Sequence, residues 1–180
     1  MEKIFKSFMK QYINAINNDI DLELLSKCVE LIKKTKRSGG KVILAGNGGS
    51  AAMASHVAVD LTKNASIRAI NFNEADLITC FANDYGYENW VKEGVRFYSD
   101  ENDLVILISS SGNSMNMINA AKFCNDLNLN VITLSGFSRD NMLNGLGKVN
   151  FWVDSKEYNV VEMTHHIILL LLVDGFINES

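Results

Sequence analysis

The sequence predicts an α/β fold in which a parallel sheet is covered by helices on both faces and preceded by an N-terminal helix pair. Three observations predict it. Apolar residues recur at helical spacing through the first 38 residues. From Lys41 onward, short apolar runs alternate with longer helical stretches, the pattern of strands buried on both faces and joined by helical crossovers. Glycine- and serine-rich turns follow the first and third runs, where helix N-termini begin.

Taken in order, Ile4, Phe5, Phe8, Met9, Tyr12, Ile13 and Ile16 form a wide apolar stripe on a first helix. A second helix starts near Asp21 with Leu22, Leu25, Val29 and Ile32 on one face. It ends in "KKTKRSGG", whose basic residues suit a helix C-terminus and whose glycines stop it. The strand candidates are "KVILA" (41–45), "SIRAIN" (66–71), "DLVILIS" (103–109), "NVITLS" (130–135) and "VNFWV" (149–153). Helices are predicted near 50–62, 87–98 and 114–127, with a last one over about 159–176. "ANDYGYE" (82–88) reads as including a loop, and Trp90 and Trp152 as core or interface residues. The organisation expected is one domain over 1–180, with the helix pair at 1–38 and the α/β core at 41–180.

A chain of 180 residues with 47% apolar and 21% charged residues has enough material for one substantial core. Net charge is −4, and no long basic run argues for a grip on nucleic acid or an anionic membrane. Positive potential for an anionic ligand must then come from backbone amides and helix ends. Cys28, Cys80 and Cys124 are widely spaced, as expected of free thiols in a reducing compartment. The N-terminus lacks the pattern of a secretion signal. The longest apolar run, "IILLLLV" at 167–173, is shorter than the roughly 20 residues of a membrane helix. The expectation is a cytoplasmic protein.

"GNGGS" (46–50) and "SSSGNS" (109–114) carry the strongest chemical signal. Glycine lets backbone approach an anion closely, helix N-terminal amides donate hydrogen bonds, and serine hydroxyls add donors without bulk. A phosphate on a polyhydroxyl body fits both turns. "GNGGSA" also satisfies G-x-G-x-x-A, the dinucleotide pattern. Against a dinucleotide, "SIRAIN" ends without an acidic residue for a ribose, and Glu74 comes late. The GK[ST] of a nucleotide-binding P-loop is absent.

"GNGGSAAMASH" (46–56), "ANDYGYE" (82–88) and "ISSSGNS" (108–114) resemble the motifs of the sugar isomerase (SIS) domain family, with the nearest likeness to phosphoheptose isomerases. The resemblance implies a three-layer, flavodoxin-like sandwich with a five-stranded parallel sheet. It also implies a homotetramer with sites between subunits, and interconversion of sedoheptulose 7-phosphate and a heptose 7-phosphate for surface polysaccharide synthesis. Position by position, Ser50, Ser109, Ser111 and Ser114 would hold the phosphate, Asn47 and Ser110 would line the sugar site, and Asp84 would contact sugar hydroxyls.

The family pattern also has a His and, four residues on, a Glu, then a Gln and a His eight apart on the last helix; together these can hold zinc. Here His56 is retained and Asp60 stands at the Glu position. The other two positions fall on Val161 and Leu169, and Tyr158 replaces a nearby aspartate. His56 and Asp60 are thus the metal candidates, and they share a helix face that would also suit acid–base work. On the last helix, Glu162 matches a glutamate that serves as base in several SIS isomerases. His165, four residues from both Val161 and Leu169, would supply an imidazole on their face. Of the adjacent pair His165 and His166, at least one is expected to be structural. The leading expectation is a sedoheptulose 7-phosphate isomerase. The alternatives are an isomerase of another ketose phosphate and a non-catalytic phosphosugar-binding or adaptor protein.

Overall fold

The computed structural model describes residues 1–178. Helices α1 (Glu2–Asp19) and α2 (Leu22–Arg37) lead into β1 (Val42–Gly46), α3 (Gly49–Lys63) and β2 (Ala69–Asn71). Then come α4 (Ala75–Tyr85), α5 (Trp90–Tyr98), β3 (Leu104–Ser109) and α6 (Met115–Asp126). Strands β4 (Asn130–Gly136) and β5 (Val149–Val153) and helix α7 (Tyr158–Asn178) complete the order. The sheet is five-stranded and parallel in the order β2-β1-β3-β4-β5. This is the flavodoxin-like order, whose switch point lies between β1 and β3.

Side chains of a strand alternate between its faces, and the core divides accordingly. Val42, Leu44, Leu104, Ile106 and Ile108 pack toward α2, α3 and α7. Ile43, Ala45, Val105 and Leu107 pack toward α5 and α6, with α4 residues at the margin. Each such aliphatic side chain, fully buried, stabilises the fold by about 1.5–3 kcal/mol. At the strands' N-terminal end, Lys41 Nζ lies 2.6 Å from Asp103 Oδ2 and 2.8 Å from Asp100 Oδ2, an ion cluster that ties β1 to β3.

Three elements differ from expectation. Only Ala69–Asn71 of "SIRAIN" is strand; Ser66 has φ 52°, which takes it out of the extended region. Residues 75–85 form α4, so most of "ANDYGYE" sits on a helix end rather than in a loop. The signal was present in Leu77, Ile78, Phe81 and Ala82, all packed against the second core, but Asn83, Asp84 and Gly86 mask it. The "IILLLLV" run belongs to a 21-residue helix apolar enough by length and composition to cross a membrane. It packs against α1, α2 and α3, burying Val161, His165, Ile168, Leu169 and Leu172.

Candidate active site

Both glycine–serine turns lie at the C-terminal ends of neighbouring strands. After β1 the chain turns through Asn47 and Gly48 into α3; after β3 it turns through Ser110–Asn113 into α6, with Ser114 at the N-cap position. They enclose a cavity of about 120 Å³ lined by Asn47, Ser50, Ser109, Ser110, Ser111 and Ser114. Ile108, Tyr158 and Glu162 complete the lining. That volume falls below the roughly 300–1,000 Å³ of a drug-sized ligand pocket and suits the anionic end of a longer molecule. No Lys, Arg or His side chain lines it, so hydroxyls and helix N-terminal amides are the donors facing an anion.

The loops are held by specific bonds. Ser109 Oγ donates to Ser114 Oγ at 3.0 Å, and Asn113 N–H donates to Ser111 Oγ at 3.2 Å. Gly112 has φ 66°, and a Cβ there would stand 1.8 Å from Asn141 Oδ1, so this turn tolerates only glycine. Asn47 is fixed from two sides. Its Nδ2 donates to Asn116 Oδ1 at 3.1 Å, while its Oδ1 accepts from Asn116 Nδ2 at 2.8 Å and from Tyr87 Oη at 3.1 Å. Asn116 is buried. Neither it nor Tyr87 was singled out as functional from the sequence, although a polar residue on the inward face of "SMNMINAA" is a usable signal.

Glu162 arrives from α7. A Cβ on Gly49 would meet its Oε2 at 2.4 Å, so glycine at this helix start is what lets the carboxylate lie against the N-terminus of α3. The partial positive charge of that helix end favours an anion there. Ser110 Oγ donates to Glu162 Oε1 at 3.4 Å, joining the second loop to α7.

A second group lies along the seam between α3 and α7. His56 Nε2 is 3.3 Å from Asp60 Oδ2, and His56 Nδ1 is 3.0 Å from Nε2 of His166. The two rings meet edge to face at 5.1 Å. Partial burial lowers the pKa of His166, as does the neighbouring His56 charge, while Asp60 raises it.

Two candidates stand elsewhere. His165 is fully buried, with Nε2–H donating to the Ser135 carbonyl at 3.0 Å. Burial pushes its pKa down to about 4, so it is a neutral core histidine. One residue turns a helix by about 100°, and that rotation puts His166 on the seam and His165 in the core. Asp84 sits on the exposed last turn of α4, accepting from Asn83 Nδ2 at 2.8 Å. It does not reach the cavity, because the helix turns its carboxylate to solvent.

The family's zinc set does not fit these residues. Val161 and Leu169 are fully buried, and Val161 packs on Gly136. Both ring nitrogens of His56 already have partners. Among the described residues, no group of three or more His, Cys, Asp or Glu is arranged to hold a metal ion.

Comparison with known proteins agrees with this architecture. The SIS domain model matches residues 5–136. The phosphoheptose isomerase of Helicobacter pylori is 33% identical over 158 residues, covering 84% of this chain and 82% of that one. The structure of phosphoheptose isomerase from Neisseria gonorrhoeae superposes with a TM-score of 0.88 at 25% identity, covering 97% of this chain and 98% of that one. The corresponding structure from Francisella tularensis gives 0.85 at 26% identity, covering 99% and 96%. The chain belongs to the SIS domain family, in the company of its phosphoheptose isomerases.

Proposed function

We propose that this protein is an aldose–ketose isomerase of a sugar phosphate, interconverting sedoheptulose 7-phosphate and a heptose 7-phosphate for surface polysaccharide synthesis. The observation that carries the reading is the convergence of two glycine–serine turns and one carboxylate on a single small cavity at the sheet's switch point. Ser50, Ser109, Ser111 and Ser114 hold the phosphate, and Asn47, with Ser110, faces the sugar. Moving the carbonyl between C1 and C2 needs a base that takes a proton from one carbon and returns it to the next. Glu162 is that base, and the imidazole group on the seam between α3 and α7, to which His56 and Asp60 belong, serves the carbonyl oxygens. No step runs through zinc.

Tyr158, which lines the cavity, favours a second reading, the same chemistry on another ketose phosphate, because it stands where the family pattern has an aspartate; Val161 and Leu169 remove two further polar groups of that pattern. The test is proton NMR of the purified protein with sedoheptulose 7-phosphate in deuterated water, with chelator or zinc added. Deuterium uptake at C1 or C2 that resists chelator is the expected result. Exchange with a different ketose phosphate only would move the substrate. Binding of the whole panel without exchange would make this a phosphosugar-binding or adaptor protein.

The same reading makes the protein a cytoplasmic homotetramer that binds neither nucleic acid nor membrane. Ile4, Phe5, Phe8, Met9 and Ile13 of α1 are exposed in the single chain, a contiguous apolar face that a second subunit would cover. Light scattering should give the mass of four chains, and a monomer would contradict this part of the reading.

A further inference from the structure

His166 has no counterpart among the site residues implied by the family pattern, yet α7 carries it on the same face as two residues of the cavity. Tyr158, Glu162 and His166 are spaced by four, so they form one row along the helix. Tyr158 and Glu162 line the cavity. His166 stands about 6 Å beyond Glu162 along the axis. On α3, His56 follows Gly49 by two turns and so shares its face. Gly49 packs against Glu162 and His56 against His166. The two contacts succeed one another along the seam, leading away from the phosphate loops. A sugar anchored by its terminal phosphate carries its reacting carbons at the opposite end.

We infer that the imidazole serving the sugar's carbonyl end is that of His166, and that His56 and Asp60 are its positioning residues. The inference rests on the isomerase reading above and deepens it. Asp60 engages Nε2 of His56, and the remaining nitrogen, Nδ1, bridges to Nε2 of His166. His56 therefore has no nitrogen left for a substrate. Nδ1 of His166 is the one ring nitrogen of the pair without a partner among the described residues. The order Asp60, His56, His166 ends there.

The proton movements balance. Glu162 takes a proton from C1 of the ketose, the C–H electron pair becomes the C1=C2 bond, and the carbonyl oxygen at C2 takes the proton on Nδ1 of His166. As Nδ1 releases it, Nε2 draws the bridging proton from Nδ1 of His56, which keeps its contact with Asp60. In the second half the C1 hydroxyl returns a proton to Nδ1, Nε2 hands the bridging proton back to Nδ1 of His56, C1=O forms, and Glu162 delivers its proton to C2. Both groups end as they began.

The test compares His166→Gln and His166→Ala with the wild type in steady-state kinetics on the ketose phosphate, with phosphorus NMR to follow binding. Glutamine can place its amide oxygen near the Nε2 position as an acceptor for His56, so it restores a role limited to holding His56 but not one at Nδ1. The expected result is a kcat lowered about 10²–10⁴-fold in both variants with KM changed only a few-fold. Added free imidazole should recover part of the turnover of His166→Ala. A His166→Gln enzyme with wild-type kcat overturns the assignment, and if Glu162→Gln is inactive in the same assay, the isomerase reading survives it. A wild type without turnover or exchange on any ketose phosphate overturns both.

Discussion

The glycine–serine loops and helix α7 meet at one cavity, but their departures from the pattern of the family resemblance differ. The loops carry the motifs on which the family resemblance rests, and backbone turns, glycine clearances and small hydroxyls leave few alternatives around an anion. Gly112 has no room for a Cβ, and Ser109 and Ser114 are already bonded across the turn. On α7, by contrast, Val161 and Leu169 stand at the ligand positions as fully buried core residues. The polar groups Glu162 and His166 occupy a neighbouring face. Binding geometry is tied to the backbone, whereas proton-transfer groups can be supplied from any helix face that reaches the substrate.

This contrast predicts which changes alter which step. The largest effect is expected from Glu162→Gln, which removes the proposed base while leaving the loops intact. Turnover should fall about 10²–10⁴-fold, measured as kcat, with KM little changed. The double change Ser111→Ala and Ser114→Ala should act on the other end. Losing hydrogen bonds to a charged group at about 1.5–3 kcal/mol each should raise KM by at least tenfold and leave kcat comparatively unaffected.

A smaller effect concerns stability. His165 has a folded pKa of about 4 against an ordinary 6.5, so between these values the unfolded chain binds more protons than the folded one. Stability should therefore be full above pH 6.5 and fall as pH drops toward 4, by up to about 3 kcal/mol. Urea unfolding across that range should show this slope, and His165→Leu should flatten it.

Much of the fold was legible in the sequence because it rests on local periodicity. The apolar runs at 42–46 and 104–109 are strands buried on both faces, and the glycine–serine turns follow them directly. The α7 face was not legible, since "THH" offers two adjacent histidines and only packing against Ser135 and α3 decides which one turns inward. Tyr87 and Asn116 escaped notice for a similar reason: their partner, Asn47, is 40 and 69 residues away. The exposed stripe on α1 shows the opposite limit. Its periodicity predicted the helix, but periodicity is the same whether the partner is the chain's own core or another subunit.

In the proposed site the loops bind and α7 reacts. One experiment tests this directly: deuterium wash-in and phosphorus shift, recorded in the same samples of wild type, Glu162→Gln and the double serine variant with sedoheptulose 7-phosphate. Glu162→Gln should keep the phosphorus shift and lose exchange, while the serine variant should need far more substrate for either signal. Exchange by Glu162→Gln at the wild-type rate, or unaltered binding by the serine variant, would overturn this division of roles.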